Sequence, residues 1–387
     1  MREDSPGPTT ADRLDDATIE DLRARLRAAR WPDHPVEGWS LGANVDEVRN
    51  LVEYWADGFD FVAHRASLDA LPSRHVDARG LRVHVVHAPA GTGTGRLPLL
   101  LAHGWPDSAW RYRKVLPLLT APEDHGGDRD DAFDVIVPDM PGFGFSEAPR
   151  DALLDSRAVA GMWADLMTKL GYDRFAVAGG DIGSHVARFL ALDHADRVVA
   201  VHRIDAGLPV FDGDPDQLTP EERGWLTESA RWGADEGAYA AMHRTKPQTV
   251  AIARADSPVG LAAWIVEKLR SWSDCDGDLW SVYTRDEVLA LLTEYWATGT
   301  IGSSMRMYHA NASIPRDQST RRVHLPSGFS LFPGDITHPP EPWLRRTANA
   351  VWISRPARGG HFAPFEQPDL YADELRTFFR PFRAEVA

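Results

Sequence analysis

The chain has 387 residues, 43% of them apolar, and a formal net charge of −15. It can bury a large core, and it would repel nucleic acid and anionic membrane surfaces. Its single cysteine, Cys275, excludes an intrachain disulfide and fits a reducing cytoplasm. No run reaches the roughly 18 uninterrupted apolar residues of a membrane span.

In chain order, residues 1–16 are polar and lack an apolar h-region, so they read as a disordered lead-in rather than a signal peptide. Residues 17–80 carry helical patterns over Ile19–Leu26 and Val45–Ala56, separated by the Trp31-Pro32 break. Leu81–His87 alternates like a strand. The glycine-rich stretch 90–95 lacks the lysine of a phosphate loop and reads as a hairpin loop. Buried strands are expected at Leu97–Ala102, Phe133–Pro138, Phe175–Ala178, Val198–Ile204, Phe329–Phe332 and Ala350–Ser354. Short apolar runs separated by helices predict a mostly parallel sheet covered on both faces. Residues 81–211 and 323–387 thus form one α/β core in two parts. Residues 212–322, mainly helical and rich in tryptophan (Trp225, Trp232, Trp264, Trp272, Trp280, Trp296), form a lid over the C-terminal edge of the sheet.

Gly179-Gly180-Asp181-Ile182-Gly183-Ser184 joins a strand to a helix. Small residues two before and two after the central position allow the tight turn called the nucleophile elbow. Its usual occupant is serine; here it is Asp181. A carboxylate is already ionised at neutral pH, and a helix N-terminus behind it favours the anion. It is suited to displacing a leaving group from saturated carbon, giving an alkyl ester that water must hydrolyse. An epoxide oxygen or a halide is therefore the expected leaving group.

Three loops add to the elbow. His103-Gly104-Trp105-Pro106 can supply a backbone N–H that, with the N–H of Ile182, stabilises an oxyanion, and His103 is expected to hold this loop. His361, in Gly359-Gly360-His361-Phe362, follows the last strand and can deprotonate a water. Asp335, after the preceding strand, and Asp205, after the strand ending at Ile204, are rival acids to orient it. Glu366, close to His361 in sequence, is expected to cap the following helix. An epoxide also needs a proton donor for its oxygen, and of eight tyrosines Tyr239 and Tyr308 lie in the lid.

From about residue 17 to about 380 the chain resembles the microsomal-type epoxide hydrolases of the α/β-hydrolase superfamily. The resemblance rests on Trp31-Pro32 and Tyr54-Trp55, His103-Gly104-Trp105-Pro106 and Asp139-Met140-Pro141-Gly142-Phe143-Gly144-Phe145-Ser146. It extends to the lid sequences Thr245-Lys246-Pro247, Asp256-Ser257-Pro258-Val259-Gly260-Leu261 and Tyr295-Trp296-Ala297-Thr298-Gly299-Thr300. It implies an α/β-hydrolase fold with an N-terminal helical meander and a helical lid. It also implies Asp181 as nucleophile, His361 as base, Asp335 as charge-relay acid, and Tyr239 and Tyr308 as oxirane-activating donors, with the N–H groups of Trp105 and Ile182 at the oxyanion.

The chain departs from the family in Ile182, where tryptophan is frequent, in Asp335, where glutamate is frequent, and in having no counterpart of the membrane anchor of animal members. These features make a soluble, cytoplasmic enzyme the expectation, a homodimer being the default. It would act on an apolar or aryl epoxide and water with no cofactor or metal, in detoxification or in a secondary-metabolite route of the enediyne kind. The rivals are a haloalkane-type dehalogenase using the same Asp-His-Asp set, with Trp105 as a halide donor, and a non-catalytic ligand-binding scaffold.

Overall fold

A computed structural model describes residues 14–91, 96–207, 210–211 and 213–385. The lead-in up to residue 13 and most of the glycine-rich 90–95 stretch lie outside them. Three N-terminal helices, α1 (Asp16–Arg27), α2 (Val45–Asp57) and α3 (Phe61–Asp69), come first. Asp15 and Asn44 cap the first two, each accepting backbone N–H groups of the opening turn, and Leu14 is already buried.

Eight strands follow: β1 (Ser73–Ala78), β2 (Leu81–Ala88), β3 (Leu97–Ala102), β4 (Phe133–Pro138), β5 (Phe175–Gly179), β6 (Val198–Arg203), β7 (Val323–Ser330) and β8 (Ala348–Ser354). They form one sheet in the order β1-β2-β4-β3-β5-β6-β7-β8, antiparallel at β1-β2-β4 and parallel elsewhere. This is the mostly parallel sheet of an α/β-hydrolase. Along β3, Leu100 and Ala102 pack into the core on one face while Leu99 and Leu101 pack into the other. The sheet is therefore apolar on both sides, which is why its inner strands read as continuous apolar runs.

Two strands depart from the sequence reading. β1 closes the segment read as purely helical; it is an edge strand with a mixed, mostly exposed pattern and so lacks an apolar signature. β7 begins at Val323, not Phe329, and its first half is masked by Pro326 and by breaks in its register with β8.

After the core helices α4 (Ser156–Lys169) and α5 (Ile182–Asp193), the lid runs between β6 and β7: α6 (Pro220–Asp235), α7 (Ala238–Thr245), α8 (Pro247–Asp256), α9 (Pro258–Trp272), α10 (Arg285–Thr298) and α11 (Ile301–Asn311). The N-terminal helices grip it from outside. The Trp55 indole donates to Thr293 Oγ1 at 2.9 Å, the Tyr54 hydroxyl donates to Asp286 at 2.9 Å, and Arg25 donates to the Asp256 carbonyl at 2.9 Å. Among the described residues no single helix is long and apolar enough to cross a membrane.

Candidate active site

The sheet register assembles the site. Ala102 at the end of β3 pairs with Gly179 at the end of β5, and Gly179 pairs with Arg203 of β6, so the loops that follow lie side by side. Gly334 and Gly360 bridge in the same way beyond β7 and β8. The candidate side chains of the core thus stand at the C-terminal edge of the parallel strands.

Asp181 caps helix α5 (Ile182–Asp193) with φ 56° and ψ −130°, a conformation non-glycine residues rarely adopt and one that costs about 1–3 kcal/mol. Two glycines make the turn possible. A Cβ on Gly183 would collide with the carbonyls of Ala102 and His103, and one on Gly104 would enter the Asp181 carboxylate. Gly183→Ala is accordingly expected to lower stability by about 3 kcal/mol, measured by urea unfolding. A loss under about 0.5 kcal/mol would mean that the elbow is not close-packed as described.

With Gly104 this close, the Trp105 N–H donates to Asp181 Oδ1 at 2.8 Å, and the Ile182 N–H also bonds the carboxylate. His361 Nε2 lies 3.4 Å from Asp181 Oδ2, and its Nδ1 lies 2.7 Å from Asp335 Oδ1. Asp205 stands elsewhere: its Oδ2 accepts the Asp181 N–H at 2.7 Å and its Oδ1 the Gly207 N–H at 2.7 Å. The geometry pairs His361 with Asp335, while Asp205 holds the backbone of the strained turn. His103 accepts the Met140 N–H at 2.9 Å through Nε2, tying the Trp105 loop to the turn after β4.

Burial alone would lower the His361 pKa. The charge of Asp335 and its hydrogen bond, together with the nearby Asp181 carboxylate, overcome it and push the value up to about 10. Burial would raise Asp181, but the hydrogen bond and charge of His361 and the N–H groups of Ile182 and Trp105 hold it below its ordinary value. For Asp205, burial and then the charge of Asp335 raise the pKa to about 6. Tyr239 and Tyr308 are both raised, by burial first, with the Asp181 charge adding to it, so both remain protonated donors near neutral pH.

The lid brings the two tyrosines together on the Asp181 side of the site. Their ring centroids are 6.0 Å apart; Tyr239 stacks on Trp105 at 5.5 Å, and Tyr308 meets Trp105 edge-on at 6.0 Å. The buried Tyr308 hydroxyl has no hydrogen-bond partner of good geometry. Trp272 and His243 complete this aromatic wall, at 5.1 Å and 5.6 Å from Tyr239. His243 has no motif that would have singled it out. Trp264 backs this wall, its indole donating to His243 Nε2 at 3.2 Å, whereas Trp225 packs on Trp343 at 4.9 Å and Trp296 lies under Arg25.

Glu366 corrects an expectation. It does not cap the following helix α12 (Pro368–Phe379), whose N-cap is Gln367. Its carboxylate turns back and accepts the N–H groups of Gly360 and Phe362, at 3.0 Å and 2.8 Å, on either side of His361. Those buried donors of the tight loop would otherwise be unpaired.

The sheet order and the loops at its strand ends define the class, an α/β-hydrolase. Residues 9–112 match the family described as the epoxide hydrolase N terminus, and residues 98–234 match the alpha/beta hydrolase fold. A Stigmatella aurantiaca protein assigned to the epoxide hydrolases is 39% identical over 376 residues, covering 95% of this chain and 84% of the relative. Epoxide hydrolase 1 of Sus scrofa is 34% identical over 397 residues, covering 94% and 86%. The crystal structure of juvenile hormone epoxide hydrolase from the silkworm Bombyx mori has a TM-score of 0.85 at 27% identity, covering 96% of this chain and 93% of the other. The chain belongs to the epoxide hydrolase family, and it is an epoxide hydrolase.

Proposed function

We propose that the enzyme opens apolar epoxides to vicinal diols through a covalent ester on Asp181. Support comes from one arrangement above all: His361 bridges Asp181 and Asp335 while two protonated tyrosines face the same carboxylate. In the first step Oδ2, the oxygen not held by Trp105, attacks a ring carbon. The C–O bond of the epoxide breaks, and Tyr239 and Tyr308 donate to the departing oxygen, one of them supplying its proton. The aromatic wall of Trp105, Tyr239, Trp272 and Tyr308 suits an apolar or aryl substituent.

In the second step His361 removes a proton from water, whose oxygen attacks the ester carbonyl. Oδ1 takes up the negative charge against the Trp105 and Ile182 N–H groups. Collapse breaks the bond between the carbonyl carbon and Oδ2. The diol leaves with Oδ2 and takes its proton from His361, while the water oxygen stays on Asp181. The proton left on the new carboxyl returns to His361, which restores the free enzyme.

Charge orders the two steps. In the free enzyme His361 lies between two carboxylates and holds a proton. Esterification removes one of those charges and lowers the imidazole pKa, so His361 gives its proton to the tyrosinate left by the first step and is then free to act as base.

The test is a single turnover of styrene oxide by excess enzyme in oxygen-18 water, with mass analysis of diol and peptides. The expected first-turnover diol is unlabelled, and the label enters the Asp181 peptide. A labelled diol with an unlabelled Asp181 would mean direct attack of water on the epoxide and would end the ester reading.

A further inference from the structure

The loop that carries His361 is fastened to the lid as well as to the core. The His361 N–H donates to the Trp272 carbonyl at 2.8 Å. The Gly359 N–H donates to Asp274 Oδ2 at 2.7 Å, and the Asp274 N–H donates to Glu366 Oε2 at 2.9 Å. That same Oε2 takes the Gly360 N–H, so one oxygen joins lid and loop. The fit leaves no room for side chains. A Cβ on Gly360 would lie 2.6 Å from the Asp274 nitrogen, and one on Gly334 would lie 2.7 Å from the Asp274 Cβ. Trp272, two residues before Asp274, lies edge-on to the His361 ring with centroids 5.3 Å apart.

Neither carboxylate reaches the reacting atoms, and the proposed chemistry uses neither. We propose that Asp274 and Glu366 are positioning residues that act through His361: together they fix its loop against the lid, in the register that brings Nε2 to the ester on Asp181. The proposal rests on the covalent reading above. It makes a distinction that a general stabilising role would not. Alkylation needs Asp181 and the tyrosines, whereas ester hydrolysis needs His361. Loosening the clamp should therefore slow the second step and spare the first.

The experiment is rapid-quench kinetics with styrene oxide, following alkyl-enzyme by intact mass and diol by chromatography. Glu366→Gln keeps the shape of the side chain but replaces one acceptor oxygen with an amide that cannot accept. It is expected to slow hydrolysis roughly 10- to 100-fold, with alkylation within about twofold of wild type, so that alkyl-enzyme accumulates. Asp274→Ala should do the same, and Asp274→Asn should restore hydrolysis, because an amide oxygen can still accept from Gly359.

Equal slowing of both steps, or no change in their ratio, overturns the proposal. If Glu366→Gln fails to fold, the Asp274 pair decides alone, and an Asn variant no better than Ala counts against it. Failure of the ester reading itself is read separately, from the oxygen-18 label in the wild-type enzyme.

Discussion

Asp181→Ala is expected to lower kcat on styrene oxide by roughly ten-thousand-fold or more while leaving the fold in place. Every other element of the site is arranged around that carboxylate. Trp105 and Ile182 donate to it, His361 sits against its second oxygen, and the tyrosine pair faces it from the lid. Alanine keeps the backbone N–H that Asp205 accepts, so the elbow retains its anchor. The measurement is steady-state diol formation alongside circular dichroism. A folded variant with activity within about tenfold of wild type would show that the nucleophile lies elsewhere.

His361→Gln should separate the two chemical steps completely. The variant should consume one equivalent of epoxide per active site and then stop, leaving alkyl-enzyme visible in the intact mass, with steady-state turnover down by about ten-thousand-fold. Diol released at the wild-type rate would remove His361 from the mechanism. A second readout concerns stability. The His361 pKa is raised from 6.5 to about 10, so the bound proton stabilises the folded state fully below pH 6.5, and that contribution is lost as pH rises through 10. Between those values the Tm of the wild type should fall relative to that of the glutamine variant.

The sequence made Asp181 and His361 legible as candidates because each follows a strand that reads as a buried apolar run. Asp181 could be named from its glycine-flanked elbow and His361 from its place after the last strand, and the parallel register then places their loops together. Whether Asp205 or Asp335 orients the histidine was not legible, because both follow neighbouring strands. In the folded chain Asp335 takes the imidazole and Asp205 a backbone N–H. The clamp was less visible still. Asp274 and Glu366 are 92 residues apart, and no motif or periodicity marks a contact between a lid loop and a core turn. Which lid tryptophans approach Asp181 was not legible either: Trp272 lies against His361, whereas Trp225 packs on Trp343 and Trp296 lies under Arg25.

The grip of the first helices on the lid has a consequence for remodelling. Arg25, Tyr54 and Trp55 fasten two lid helices, α8 at Asp256 and α10 at both Asp286 and Thr293. The cap is therefore not a cassette that can be exchanged between relatives at residues 212 and 322. The heritable unit is discontinuous: residues 16–69 must travel with it, or a transplanted lid arrives without its outer brace. Changing what the enzyme accepts is more tractable at the aromatic wall, residue by residue, than by grafting.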